Sequence, residues 1–207
     1  MHENGRLPAD DTFQRVADLL RLAHTALSRA TAALSRPTAL SDTETAAVDG
    51  ALGELWEAAE DLASTGPGAG AAQEDDLRTV ITDMYVGEDI GRMGVLTRQV
   101  GDIAWARRAS PPLPASVREL AEDSLKLIDA AHAAIVSPGS AAALDAALTG
   151  IGDRQYQLCR TLLSGYDSLD AVGAVDTAIL SRCYAECAQR AAAVAQHMSL
   201  FRETAAD

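Results

Sequence analysis

TDMYVGEDIGRMGVLTRQVGDIAWARR, residues Thr82 to Arg108, reads as one long helix, and the rest of the chain is organised around it. Met84, Ile90, Met93, Leu96, Val100 and Ile103 return every three to four residues, with one longer gap after Met84. That spacing puts them on one side of a helix, the side that faces other helices. Gly87, Gly91 and Gly94 fall close together on it. A glycine costs a helix interior ~1 kcal/mol relative to alanine, so three together point to close approach by another backbone. The alternative is a locally weak or kinked helix. Leu77, Val80 and Ile81 carry the apolar side backwards, giving a helix from about Glu74 to Arg108, roughly 50 Å long.

Two shorter helices precede it. The first is expected from Asp10 or Asp11, with Pro8 just outside, and carries Phe13, Val16, Leu20, Ala23, Leu27, Ala30 and Leu34 at the spacing of an antiparallel seam. Arg36-Pro37 ends it, because proline disfavours helical geometry in the residue before it. The second opens at Ser41, with Glu44 at capping-box distance, and turns Val48, Leu52, Leu55, Trp56, Ala59 and Leu62 inward. Thr65 to Ala72, TGPGAGAA, is a flexible connection.

The same order follows the long helix. Ser110-Pro111-Pro112-Leu113-Pro114 stops it and divides the chain into halves 1–109 and 110–207. A fourth helix, Ala115 to Val136, places Val117, Leu120, Ser124, Leu127, Ala131 and Ile135 on one seam. A fifth, Ala141 to Leu163, carries Leu144, Leu148, Ile151, Leu158 and Leu162. The sixth, Ala171 to Glu203, turns Val172, Val175, Ile179, Cys183, Cys187, Ala191, Val194, Met198 and Phe201 inward. The pattern is short-short-long, repeated once, without a period-two run. The fold class is all-α.

Composition narrows the chemistry. Nearly half the residues are hydrophobic but 4% are aromatic, so alanine and leucine fill the interior, which suits close-packed helices. Seventeen basic against thirty acidic residues leave a net charge of −13, which repels phosphate backbones and argues against nucleic-acid binding. Lys126 is the sole lysine; arginine supplies the remaining cations and favours forked pairs with carboxylates. Cys159, Cys183 and Cys187 have no zinc-type spacing and read as buried apolar residues of a cytosolic protein. The amino terminus lacks a secretory signal, and no apolar run approaches the ~20 residues of a membrane span.

Particular residues now carry a resemblance. Asp76-Leu77-Arg78, followed by Glu88-Asp89-Ile90-Gly91-Arg92-Met93-Gly94, resembles the phosphate-uptake regulator family, PhoU, whose members carry DLR before a helix with a motif like D-L-E-R-I-G-D. Asp89, Arg92 and Gly94 match that motif, with Ile90 and Met93 as apolar substitutes. Ala178 to Gln196 is similar to the family's second motif helix, where Arg182 and Ala191 match. Asp49, and Asp153 followed by Tyr156, resemble its V-D-A-L-Y positions. The resemblance implies two three-helix bundles in tandem pseudo-repeat, forming one compact unit.

It also implies a metal cluster, and here the chain departs. The family's ligand pairs, an acid and an aspartate four positions later, fall on Gly91 and Val95 and on Ala185 and Gln189. None supplies a carboxylate, and multinuclear sites need several anionic or imidazole ligands. The acids that remain have arginine neighbours: Glu88 has Arg92, Asp102 has Arg98, and Glu186 lies between Arg182 and Arg190, each four residues away. No metal or other cofactor is expected. The rival set, Asp49, Asp83, Asp89 and Asp153, would make a site from noncognate ligands.

No P-loop, GxSxG or HExxH is present, and His24, His132 and His197 sit on different helices, so an enzyme is not expected. Trp56 and Trp105 read as bundle anchors. The resemblance implies a cytoplasmic regulator that connects a phosphate transporter's ATPase to a membrane sensor histidine kinase by protein contact. The residues expected to meet a partner are Glu88, Asp89, Arg92, Arg98, Arg182, Glu186 and Arg190. A helical module holding a small ligand or serving another pathway is the alternative, and long apolar-striped helices leave room for a homodimer.

Overall fold

The computed structural model describes the backbone of residues 7–34, 42–64, 74–107, 110, 112–137, 141–164 and 169–204. The side chains of 7–11, 42–45, 48, 61–64, 74–79, 141–142 and 204 lie outside that description, as does the expected connection from Thr65 to Ala72. Six helices follow in order: α1 Leu7–Leu34, α2 Asp42–Ser64, α3 Glu74–Ala106, α4 Ala115–Val136, α5 Ala141–Leu163 and α6 Ala171–Thr204. Among the described residues there is no strand.

The ends of these helices are legible in their chemistry. Pro8, expected outside α1, lies inside its first turn. A missing N–H costs nothing there, because the first-turn donors have no intrahelical partner. Asp170 caps α6: its Oδ1 accepts the Gly173 N–H at 2.7 Å and its carbonyl accepts the Ala174 N–H at 2.9 Å. A Cβ on Gly173 would stand 3.0 Å from that carboxylate and 3.6 Å from the Arg107 guanidinium, so glycine leaves the cap open to α3. At the other end, Arg202 of α6 donates to the Ile135 carbonyl near the end of α4 and lies over the Phe13 ring of α1, 4.4 Å from its centroid.

Four helices form the centre. α1 packs on α3 and α4, and α6 packs on α3 and α4, so the four close into a ring. α2 lies against α1 and α3, and α5 against α4 and α6. The two halves are therefore joined along their longest helices, and each short helix flanks its own half. Cross-contacts show α3 and α6 antiparallel, with Tyr85 beside His197, Asp89 beside Arg190, Arg92 beside Glu186 and Arg107 beside Asp176.

One apolar core runs through both halves. Val16, Leu20, Leu27, Leu52, Leu55, Ile90, Met93, Leu96, Leu120, Ile128 and Ile135 are each at most 2% exposed. Ala185, Ala188, Ala191, Ala192 and Ala195 line the buried side of α6 and let its neighbours close in. Tyr184 is fully buried, with its hydroxyl 3.0 Å from Thr31 Oγ1 of α1, so the phenol has a partner across the halves. The Cys183 thiol donates to Gln99 Oε1 at 3.3 Å, and burial pushes its pKa up to about 11. Cys187 is buried too, and burial raises its pKa as well. Both are inert packing thiols, whereas Cys159 is half-buried, 4.0 Å from Ser181 Oγ.

Several expected core positions lie outside it. Met84 is 61% exposed, because Val86 and Asp83 take the inward positions in the register of Ile90 and Met93. Val172 and Val175 are 67% and 57% exposed, since Gly173 and Thr177 continue the buried line of Leu180 and Tyr184. Trp56 and Trp105, expected as bundle anchors, are exposed as well. The close approach of another backbone expected at these glycines is not found at Gly91, where nothing lies within 4 Å of an added Cβ. At Gly94 the approach is a side chain: an added Cβ would stand 2.5 Å from Trp56 Nε1. The expected inward positions Val48, Leu62 and Leu77 lie outside the described side chains.

Candidate functional site

The site is built where α3 and α6 lie side by side. Arg92 Nε of α3 reaches Glu186 Oε1 of α6 at 2.8 Å, and Arg190 Nη1 of α6 reaches back to Asp89 Oδ1 of α3 at 2.9 Å. Two reciprocal ion pairs thus clasp the halves together. Arg182 Nε lies 3.4 Å from Glu186 Oε2, and Arg190 Nη2 lies 3.8 Å from Glu186 Oε1, so three guanidiniums surround one carboxylate. The hydrogen bond from Arg92 holds the Glu186 carboxyl below the usual range, with Arg182 adding to it against the cost of burial. His197 Nε2 stands 3.9 Å from Asp89 Oδ2 and stacks on Tyr85, with ring centroids 5.3 Å apart.

Glu186 meets Arg182 and Arg190 as helical spacing gives, but two other arginines pair differently. Arg92 turns away from Glu88, which is exposed on the α3 edge. Arg98 pairs with Asp49 of α2 at 3.6 Å rather than with Asp102, and its guanidinium lies 4.9 Å from the Trp56 ring centroid. A carboxylate from a facing helix competes well with one on the same helix, since an i,i+4 pair is worth only ~0.3–0.5 kcal/mol. Five of the seven expected partner residues, Asp89, Arg92, Arg182, Glu186 and Arg190, therefore meet. Arg98 belongs to the α2–α3 side. Tyr85 and His197 were not expected at the site, because their contact depends on the α3–α6 register.

A strip of exposed apolar residues runs along the same outward side. Ile81, Met84 and Tyr85 stand at the start of α3 and Leu200 near the end of α6, so these four share one end of the antiparallel pair. Val172 and Val175 stand at the opposite end, and Val95 lies one turn beyond Arg92. The face is apolar at both ends and charged in the middle.

The donor set for a metal is poor here. Gly91, Val95, Ala185 and Gln189 occupy the positions where the family resemblance implies ligands, and none has a carboxylate or imidazole. Among the described residues no three His, Cys, Asp or Glu side chains come together as a metal would require. The rival set is dispersed. Asp49 pairs with Arg98, Asp83 is buried in the core and Asp153 is exposed on α5. Asp83 and Asp89 are six residues apart, about 120° around the helix, and cannot share one ion.

Other singled-out residues lie elsewhere. His24 stands 3.5 Å from Asp129 between α1 and α4. Tyr156 is exposed on α5, with Arg160 6.0 Å from its ring centroid. No described helix is long and apolar enough to cross a membrane.

No family model matches the chain. Two curated relatives do: the phosphate-specific transport system accessory protein PhoU homolog 2 of Mycobacterium bovis and that of Mycobacterium tuberculosis. Each is 27% identical over 199 residues, covering 93% of this chain and 93% of its own length. The match spans nearly the whole of both chains. The chain is a distant relative of the PhoU proteins.

Proposed function

We propose that this protein is a non-enzymatic regulatory adaptor of phosphate uptake, acting by contact with a phosphate transporter's ATPase, a sensor histidine kinase, or both. The observation that carries the reading is kinship along nearly the whole chain with proteins named as accessories of phosphate-specific transport. The geometry supports a contact mechanism. Two long helices present an exposed face with charge at its centre and apolar side chains at its ends. In this reading no metal cluster takes part. The arginine clasp supplies, between α3 and α6, the cations that join carboxylates of the two halves.

Deleting the gene and measuring labelled-phosphate uptake and kinase-dependent reporter output tests the role. Loss of control by external phosphate is the expected result, and unchanged uptake and output would contradict it. Pull-down by the tagged protein tests the mechanism. Arg92→Glu with Arg182→Glu is expected to reduce capture of the ATPase or kinase, and equal capture would count against the contact.

A further inference from the structure

We infer that the outward face of α3 and α6 receives an amphipathic helix of a net-basic partner, with apolar side chains at both ends and a carboxylate at its centre. The inference rests on the adaptor reading and gives the docking segment its chemistry. Length comes first. Val175 and Leu200 mark the two apolar ends on α6, about 37 Å apart at 1.5 Å per residue, which asks for a partner helix of about 25 residues.

Charge comes second. In the central band Arg92, Arg182 and Arg190 are 38%, 62% and 38% exposed, whereas Glu186 and Asp89 are 18% and 8% exposed. Solvent meets the guanidiniums, and the carboxylates lie beneath them. Each guanidinium carries five N–H donors, more than these ion pairs use, so an incoming carboxylate finds donors ready. Glu88, exposed one turn towards Tyr85, and the net charge of −13 call for cations around that central acid.

The same charges disfavour a second copy. Pairing this face with itself about an axis through the clasp would set arginine against arginine and bring together two strongly acidic bodies.

Two synthetic helical peptides of about 25 residues test the match: both basic on the outer side and apolar at the ends, one with a Glu-Glu centre and one with Lys-Lys. Fluorescence anisotropy with the full chain is expected to show at least about tenfold tighter binding of the Glu-centred peptide. Arg182→Ala is expected to remove that preference, and Val175→Asp to weaken both peptides, with circular dichroism confirming each fold. Equal binding of the two peptides would overturn the inference. So would a preference untouched by Arg182→Ala, or sedimentation showing a dimer that Val175→Asp dissolves. If the preference is missing while the deletion strain still loses phosphate control, this inference alone fails. If the preference holds and the deletion changes nothing, the adaptor reading fails and the docking chemistry stands.

Discussion

On their inner sides α3 and α6 bury Ile90, Met93, Leu96, Leu180 and Ala188, with hydroxyls and thiols tucked among them. On their outer sides the same helices leave Met84, Val95, Val175 and Leu200 exposed beside a band of arginines. The inner side is filled by size: small alanines against long leucines, with polar groups mostly paired. The outer side keeps apolar area in water without filling it, a feature that stability alone does not explain. The contrast separates residues that hold the bundle from residues exposed on its outer face. The ion-pair clasp belongs to both, because it joins the halves and faces outward.

Substitutions on the two sides should therefore separate into two classes. The largest expected effect is inside: Leu96→Ala opens a cavity under α3 and should cost ~3–4 kcal/mol of stability, read by urea unfolding. A loss below that of a surface change would mean that the inner face is loosely packed. Arg190→Ala comes next. It leaves Asp89 mostly buried without its closest cation and should cost about 2–3 kcal/mol.

Two carboxylates sharpen the contrast through pH. Glu186, held below its ordinary value of 4.5 by Arg92, contributes stability that is present above that value and lost as pH falls through its lowered pKa. Asp83 runs the other way. Burial raises its pKa above the ordinary 3.8, against the attraction of Arg15, so its ionised form weighs against folding near neutral pH and protonation relieves it. Glu186→Gln should lower the melting temperature at neutral pH and Asp83→Asn should raise it. Both differences should shrink as acid protonates the wild-type carboxyls. Parallel pH profiles for the two variants and the wild type would contradict these assignments.

Smaller effects are expected nearer the surface. Gly94→Ala gains ~1 kcal/mol of helix propensity but drives a methyl into the Trp56 indole, so little net change in stability should accompany a shift in tryptophan emission. Arg182→Ala is the smallest in stability, about 0.5 kcal/mol or less, since it removes one exposed i,i+4 pair. Its effect should appear in docking.

The helices and their order are legible in the sequence because apolar spacing is sustained along each of them. The errors fall where long helices reach beyond the packed centre. Met84, Val172 and Val175 are apolar and near the register, yet Val86, Gly173 and Thr177 hold the inward positions. A glycine or threonine on the true line is a weak signal beside a valine off it. The charged band was legible as residues but not as pairs. Asp89, Arg92, Glu186 and Arg190 stand out on otherwise apolar helices, but their partners depend on how α3 lies against α6. The Tyr85–His197 stack had no sequence signal for the same reason.

Complementation tests the division of labour most directly. A deletion strain carrying Arg182→Glu, with folding and abundance matched to the wild type, should fail to restore phosphate control over uptake. Full restoration by that variant would contradict the assignment of function to the outward face of α3 and α6.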